Sequence, residues 1–114
     1  MNIKLHGPFE LSKDHLESTL PKSISGVFAL GYVDQVGRFR VERVGRDTSN
    51  LQTTLGDLIG CAMQFKYAAT STSREAFELE CELYHRLRPP CNVMHPNRPA
   101  GSIWTCPVCH GSRR

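Results

Sequence analysis

Residues 72–92, TSREAFELECELYHRLRPPCN, carry most of the information about the fold. Thr72 followed three residues later by Glu75 is a capping-box pattern, which typically starts a helix. Pro89 cannot continue a helix and restricts the residue before it. We therefore expect a helix over about residues 74–88.

Glu80 lies on the wrong face of this helix for a charged residue. On a wheel of about 100° per residue, it falls within roughly 60° of the apolar side chains. Those side chains are Ala76, Phe77, Leu83, Tyr84 and Leu87. Burial can raise the pKa of an unpaired carboxyl by ~3–5 units, which is costly. Glu80 is therefore expected either to pair with an arginine or to act as an acid, a base or a metal ligand.

The residues before this helix predict short strands and helices. Ser12 can cap a helix over residues 13–20 that ends at Pro21. Strands are expected at residues 26–30, 38–44 and 64–69, with a helix over about residues 51–59. The order from residue 24 onward is then β-β-α-β-α. This order predicts an α+β fold, in which helices flank a small antiparallel or mixed three-stranded sheet.

Length and composition fit one small globular domain. The chain has 114 residues, of which 39% are hydrophobic and 22% charged, which argues against a disordered or fibrous chain. We expect an N-terminal lead-in with a short helix (1–23), a main domain (24–95) and a C-terminal extension packed on that domain (96–114). No apolar run approaches the ~20 residues of a membrane-spanning helix, and no signal-like segment is evident. A cytoplasmic protein with no membrane partner is expected.

Basic residues are concentrated in two places. Residues 83–114 contain five arginines and no acidic residue, whereas residues 1–82 carry nine Lys and Arg against eleven Asp and Glu. A second basic cluster lies within residues 38–46. Such patches can bind phosphates, although a solvated surface gives the same pattern. The candidates for nucleic-acid contact are Arg40, Arg43, Arg46, Arg86 and Arg88.

Two cysteines and a Cys-His pair have the spacing of a zinc site. Cys81 and His85 are four residues apart and share a helix face, and Cys106 and Cys109 form a Cys-x-x-Cys turn. We expect these four residues to hold one structural Zn²⁺ that staples the C-terminal extension to the helix. Nearby alternative ligands are Cys91, His95 and His110. Unliganded buried thiols or a redox Cys-x-x-Cys remain the other interpretations.

Several of these residues together resemble the GIY-YIG nuclease family. The resemblance rests on Leu79-Glu80-Cys81-Glu82-Leu83-Tyr84 with Pro89-Pro90-Cys91-Asn92, on Gly26-Val27-Phe28, and on Arg43-Val44-Gly45 followed by Arg46. It covers about residues 24–95. It implies the β-β-α-β-α order, DNA as substrate, a Mg²⁺ or Mn²⁺ ion bound by Glu80, and site positions at Glu80, Arg43 and Asn92.

Three positions depart from the family pattern. Phe28 and Arg43 stand where the family has tyrosines, and Thr53 stands where it has an arginine. A phenyl ring has no hydroxyl, and a guanidinium cannot act as a base at neutral pH. Since losing one positioned group costs roughly 10²–10⁴-fold, we expect a protein that binds nucleic acid, with DNA favoured, and whose cleavage activity is weak or lost. Tyr84, about 40° from Glu80 on the wheel, is the residue that could supply a base.

The direction of Arg43 is left open by the sequence. Arg43 follows Phe39 and Val41 in strand parity, so it is expected to face the cleft, where it could pair with Glu80 or contact phosphate. A bulge would turn it to solvent instead. Two other functions stay in view: an active Mg²⁺-dependent endonuclease that uses Glu80, and a zinc-stapled protein-interaction module whose partner is unknown.

Overall fold

A computed structural model describes residues 4–111 as an α+β fold, with side chains described as far as residue 109. The elements in chain order are β1 (His6–Glu10), α1 (Lys13–Thr19), β2 (Ser25–Val33), β3 (Phe39–Asp47), α2 (Leu51–Asp57), β4 (Gln64–Thr70), α3 (Ser73–Leu87) and α4 (Pro107–Gly111). Each predicted strand and helix is present; β2 and β3 extend three residues beyond their predicted ends, and β4 extends one.

The sheet is antiparallel throughout and has the order β1-β4-β2-β3. It contains four strands, one more than predicted. The additional strand is β1, within the segment expected to be a lead-in, and it pairs with the edge of β4 that β2 leaves free. Alternation of polar and apolar residues is weak over this strand, because only its Phe9 packs into the core.

Strand β2 is buried on both faces, which explains its continuous apolar run. Val27 and Ala29 pack with Leu83 of α3. Phe28 and Leu30 face the other side of the sheet, where α1 and α2 cover them. The sheet therefore separates two core layers, with α3 on one side and the two short helices on the other.

Helix α3 confirms the predicted capping and the position of Glu80. The backbone N–H of Glu75 donates to Thr72 Oγ1 at 3.0 Å, and the Glu75 carboxylate accepts from the N–H of Ser71 at 2.6 Å. The buried face of the helix consists of Ala76, Phe77, Glu80, Cys81 and Leu83. Arg88 ends the helix in the left-handed conformation, with φ of 46°.

After α3 the chain turns back and packs on that helix. Trp104, Cys106 and Val108 surround Phe77 and Cys81, so this segment shares a small core with α3. Helix α3 is the longest helix of residues 4–111, and no helix in that range has the length and apolar character needed to cross a membrane.

Candidate functional site

A cleft of about 460 Å³ opens beside β3. Strand β2, helices α2 and α3, and the loop after α3 contribute to its walls as well. The lining residues are Phe28, Arg43, Val44, Gly45, Arg46, Thr54, Asp57, Leu58, Glu80, Asn92 and Asn97. Residues that are far apart in the sequence thus meet at one edge of the sheet.

Glu80 lies in this cleft and is paired with Arg46. The carboxylate oxygen Oε1 accepts a hydrogen bond from Arg46 Nη1, and Glu80 is only 7% exposed. The same guanidinium donates through Nη2 to the backbone oxygen of Asn97 at 2.8 Å and lies 5.3 Å from the centre of the Phe77 ring. The expected arginine partner exists, but it is Arg46, two positions beyond Val44, and not Arg43.

Burial raises the pKa of Glu80 above that of an ordinary carboxyl group. The hydrogen bond and charge of Arg46 oppose this rise, as do the charges of His95 and Arg43. Because the pKa of Glu80 is raised overall, the effect of desolvation on it is larger than the opposing effect of the ion pair. Arg43 therefore acts on Glu80 through its charge, while Arg46 makes the direct contact.

A bulge in β3 explains the direction of Arg43. Leu30 pairs with Arg43, but Gly31 pairs with Val41, so Glu42 is an extra residue in the strand. The bulge reverses the parity, and Val44 instead of Arg43 continues the apolar face of the strand. Arg43 is exposed at the wall of the cleft, where it can reach a ligand from solvent.

Phe28 and Gly45 lie opposite each other on neighbouring strands. The Phe28 ring covers Gly45 so closely that a Cβ atom at this position would clash with it. Phe28 is only 3% exposed, and its phenyl ring offers no hydrogen-bonding group to the cleft. Packing against Phe28 thus requires a glycine at position 45.

Asn92 fastens the loop after α3 to β3. Its Oδ1 accepts from the N–H of Val44 at 2.7 Å, and its Nδ2 donates to the carbonyl of Val44 at 3.0 Å. The N–H of Cys91 donates to the carbonyl of Glu42 at 2.8 Å. The side-chain amide of Asn92 therefore has a positioning role at the cleft edge, and both of its ends are engaged by backbone.

The other predicted site residues lie apart from the cleft. Thr53 is exposed on α2, whereas the neighbouring Thr54 and Asp57 line the cleft. Within residues 4–111, the lining includes neither Arg40, which binds Asp34 in the β2–β3 turn, nor Arg86 and Arg88 at the end of α3. The helical period of α2 could have shown that Asp57 shares a face with Thr54. The sequence contains no signal, however, that this face of α2 borders the same cleft as Glu80.

A second group of side chains lies on the other flank of α3. His85, His95, Cys106 and Cys109 place one potential ligand atom each within 4.8 Å of one another. The Nε2 atoms of the two histidines are 3.1 Å apart, and Cys109 Sγ is 3.1 Å from His85 Nε2 and 3.6 Å from His95 Nε2. Ligand atoms around a tetrahedral Zn²⁺ with Zn–N near 2.05 Å and Zn–S near 2.3 Å are separated by roughly 3.3–3.8 Å. The cluster has the composition and compactness of a metal site.

The cluster contains His95, which was predicted as an alternative ligand, and leaves out the predicted ligand Cys81. Cys81 is fully buried behind Cys106 and packs against it, together with Phe77. Burial raises the pKa of Cys81, so its thiol stays protonated and can donate to the sulfur of Cys106. Of the alternative ligands, Cys91 is exposed in the loop after α3, and the His110 side chain lies outside the described residues.

The protonation states of the cluster suit a metal ligand set. His95 Nδ1 lies 2.9 Å from the carbonyl oxygen of Pro96, which can only accept, so Nδ1 carries the proton and Nε2 offers a lone pair to the cluster. Burial lowers the pKa of His85, which favours its neutral form. Burial disfavours ionisation of Cys106, but hydrogen bonds to its sulfur, the largest of them from the backbone N–H of Cys109, outweigh it and lower the pKa of that thiol. Neutral imidazoles and a thiolate are the forms that metals bind.

Tyr84 is turned toward this cluster. Its ring lies edge-on to His85 and to His95, with ring centres 5.3 Å away in both cases. It is absent from the lining of the cleft as described for residues 4–111, so a role as base for Glu80 has no geometric support.

No protein-family model, curated protein or solved structure matches this chain. The chemistry of the cleft and of the cluster is therefore inferred from their own residues.

Proposed function

We propose that this chain is a degenerate GIY-YIG-like module that binds nucleic acid, with DNA as the favoured ligand and with cleavage weak or lost. One observation carries the proposal: six residues of the motifs that carry the resemblance line a single cleft, although Thr53 and Tyr84 do not. The six are Phe28, Arg43, Gly45, Arg46, Glu80 and Asn92. This convergence of separate elements is what the resemblance predicts, and it supports the proposal on that ground.

Phosphate binding is supported by the arginines of the cleft. Arg43 is exposed at the wall, and Arg46 presents its guanidinium deeper inside. Arginine offers planar, bidentate donors that match phosphate geometry. A cleft of about 460 Å³ admits a nucleotide-sized group. The arrangement therefore favours a ligand whose backbone carries repeated negative charge.

Weak catalysis is supported by what surrounds Glu80. A divalent ion would have to displace Arg46 from the carboxylate, and the buried Phe28 supplies no hydroxyl to activate water. Asn92 is engaged at both ends of its amide by Val44. Binding would thus persist while the groups that move protons and hold the ion are missing or occupied.

A salt titration of DNA binding tests the proposal. Anisotropy of a labelled duplex should show affinity falling steeply with salt, because each phosphate contact contributes about 0.9 to the logarithmic slope. Arg43→Gln should reduce the slope by about 1. The matched control is Lys13→Gln, which removes the same charge from α1 and should leave the slope unchanged. Equal slopes for the two variants would remove the cleft from the binding site.

Two other functions have specific support. Asp57 joins Glu80 in the cleft, and two carboxylates are suitable ligands for Mg²⁺, which favours the active endonuclease. Incubation of duplex and branched DNA with Mg²⁺ or Mn²⁺ should give no nicking, and robust nicking that Glu80→Gln abolishes would establish the enzyme instead. The protein-interaction module is favoured by Val93, Met94 and Ile103, which are 88%, 72% and 88% exposed.

We also propose that His85, His95, Cys106 and Cys109 bind one structural Zn²⁺. The ion would join α3 to the C-terminal segment, and two nitrogen with two sulfur donors are typical of closed tetrahedral zinc sites. Elemental analysis should give one zinc per chain. Cys106→Ser should lose the metal, whereas Cys81→Ala, which removes a thiol of the same small core, should retain it. Retention by both variants would exclude this ligand set.

A further inference from the structure

A second cavity, of about 390 Å³, lies next to the cleft. Its walls are the end of β3, the start of α3 and the loop that leads to Cys106. The lining residues are Arg46, Thr48, Ser73, Pro99, Ala100, Gly101, Ser102 and Trp104. Arg46 lines both this cavity and the cleft, so the two spaces meet at one guanidinium.

We propose that this cavity is a subsite for one nucleotide of a single-stranded nucleic acid, with the base on Trp104 and its phosphate at Arg46. The inference rests on the proposed function and deepens it, since it specifies that the bound nucleic acid is single-stranded. A strand that passes through the cleft would continue past Arg46 into this cavity. Neither the resemblance nor the predicted nucleic-acid contacts included any residue of this loop.

Trp104 is suited to serve as a stacking platform. It packs against the core formed by Phe77, Cys81 and Cys106, which fixes the position of the indole, while it also lines the cavity. Bases stack on aromatic side chains irrespective of sequence, and each such contact is worth roughly a 5- to 150-fold change in affinity. A base in a duplex is covered on both faces by its neighbours, so this contact requires an unpaired, unstacked base.

Arg46 can contact a phosphate without leaving Glu80. A guanidinium has five N–H donors, and in this structure the bonds from Arg46 go to Glu80 and to the Asn97 carbonyl. Thr48 and Ser73 add hydroxyl groups to the cavity wall. The volume is within the range of small-ligand sites, about 300–1,000 Å³. Charge, hydrogen-bond donors and an aromatic face are thus present in one space.

The loop that forms the outer wall is held in place. Its two ends, His95 and Cys106, belong to the Cys/His cluster. Between them, the Asn97 carbonyl accepts from Arg46, and both the N–H and the hydroxyl of Ser102 donate to the Pro99 carbonyl, at 3.1 Å and 2.7 Å. The subsite is therefore organised before a ligand arrives, which lowers the entropic cost of binding.

The single tryptophan of the chain reports directly on this cavity. The experiment uses the full chain, a mixed-sequence single-stranded oligonucleotide, and the duplex of the same sequence. Single strand should quench Trp104 emission in proportion to binding measured by anisotropy. Duplex should bind with little quenching.

Ala100 allows a test that leaves the core intact. It is exposed at the cavity wall, so Ala100→Glu places a negative charge beside the incoming phosphate, and Ala100→Gln is the neutral control of nearly equal size. Ala100→Glu should weaken single-strand binding severalfold at low salt, and Ala100→Gln should not. Trp104→Ala should weaken it by roughly 5- to 150-fold; circular dichroism and zinc content establish whether that variant folds.

The outcomes separate this inference from the proposed function. If single strand and duplex bind alike, without quenching and equally to both Ala100 variants, the subsite is wrong while nucleic-acid binding by the cleft stands. If neither nucleic acid binds at low salt, the subsite and the proposed function both fail. Quenching by single strand together with a specific defect in Ala100→Glu supports both.

Discussion

Replacing Arg46 by methionine should destabilise the protein strongly, because it leaves Glu80 buried without its cation. The two side chains are only 18% and 10% exposed. Removing one partner of a buried ion pair costs about 3–5 kcal/mol, and the residual solvent access places the expected loss near the lower end, at ~3 kcal/mol. For a domain of this size that corresponds to a fall in Tm on the order of 10 °C.

Urea and thermal unfolding of the protein at neutral pH measure this effect. The matched control is Arg40→Met, which removes an arginine of the same strand whose side chain is 55% exposed and pairs with Asp34, and which should barely move the midpoint. The double variant Arg46→Met/Glu80→Leu should recover most of the lost stability, since an apolar pair replaces the buried charges. If Arg46→Met were no worse than Arg40→Met, the buried ion pair would not exist in solution.

Three further predictions concern the cleft and the cluster. Gly45→Ala should lower the free energy of unfolding, measured with urea, by about 1–3 kcal/mol, because the added Cβ would clash with the Phe28 ring. The comparison is Gly37→Ala: no atom lies within contact distance of a Cβ there, so stability would fall only through the strained positive φ of that residue. Burial raises the pKa of Glu80, so the stability linked to this group is complete below the carboxyl pKa of the unfolded chain and is lost as pH rises through the folded pKa. Glu80→Gln should therefore gain stability relative to wild type as pH rises, and a constant difference across pH would contradict the direction of the shift. The proposed zinc site predicts that a chelator exposes residues 95–109 to protease before α3 is cut, and simultaneous cleavage of both would argue against that site.

Much of the fold followed from local patterns. The cap at Thr72, the two prolines after α3 and the apolar run of β2 each specify one element, because backbone geometry and burial act within a few residues. Strand β1 was missed because its pairing with β4 depends on partners more than fifty residues away. Local periodicity contains no information about such an edge strand when only one of its side chains enters the core.

The site was predictable in its chemistry and less so in its exact partners. The helical period placed Glu80 on the apolar face of α3. A carboxylate buried on such a face needs a partner, so the sequence also predicted that one exists. The choice of Arg46 over Arg43 depended on the bulge at Glu42, and a bulge is set by pairing between strands. The sequence predicted His95 only as an alternative ligand. The path of the proline-rich loop decides which side chain reaches the cluster, and local patterns do not predict that path.

The contacts of Asn92 and Cys91 with β3 have a consequence for solubility. Strand β3 is one rim of the sheet, and an uncovered rim exposes N–H and C=O groups that can recruit a strand from another molecule. The loop after α3 occupies those groups at Val44 and Glu42. At the opposite rim, β1 is five residues long, is irregular in register and contains Pro8, which has no N–H to offer. Both rims thus resist edge-to-edge aggregation, and losing the amide of Asn92 would expose the longer one.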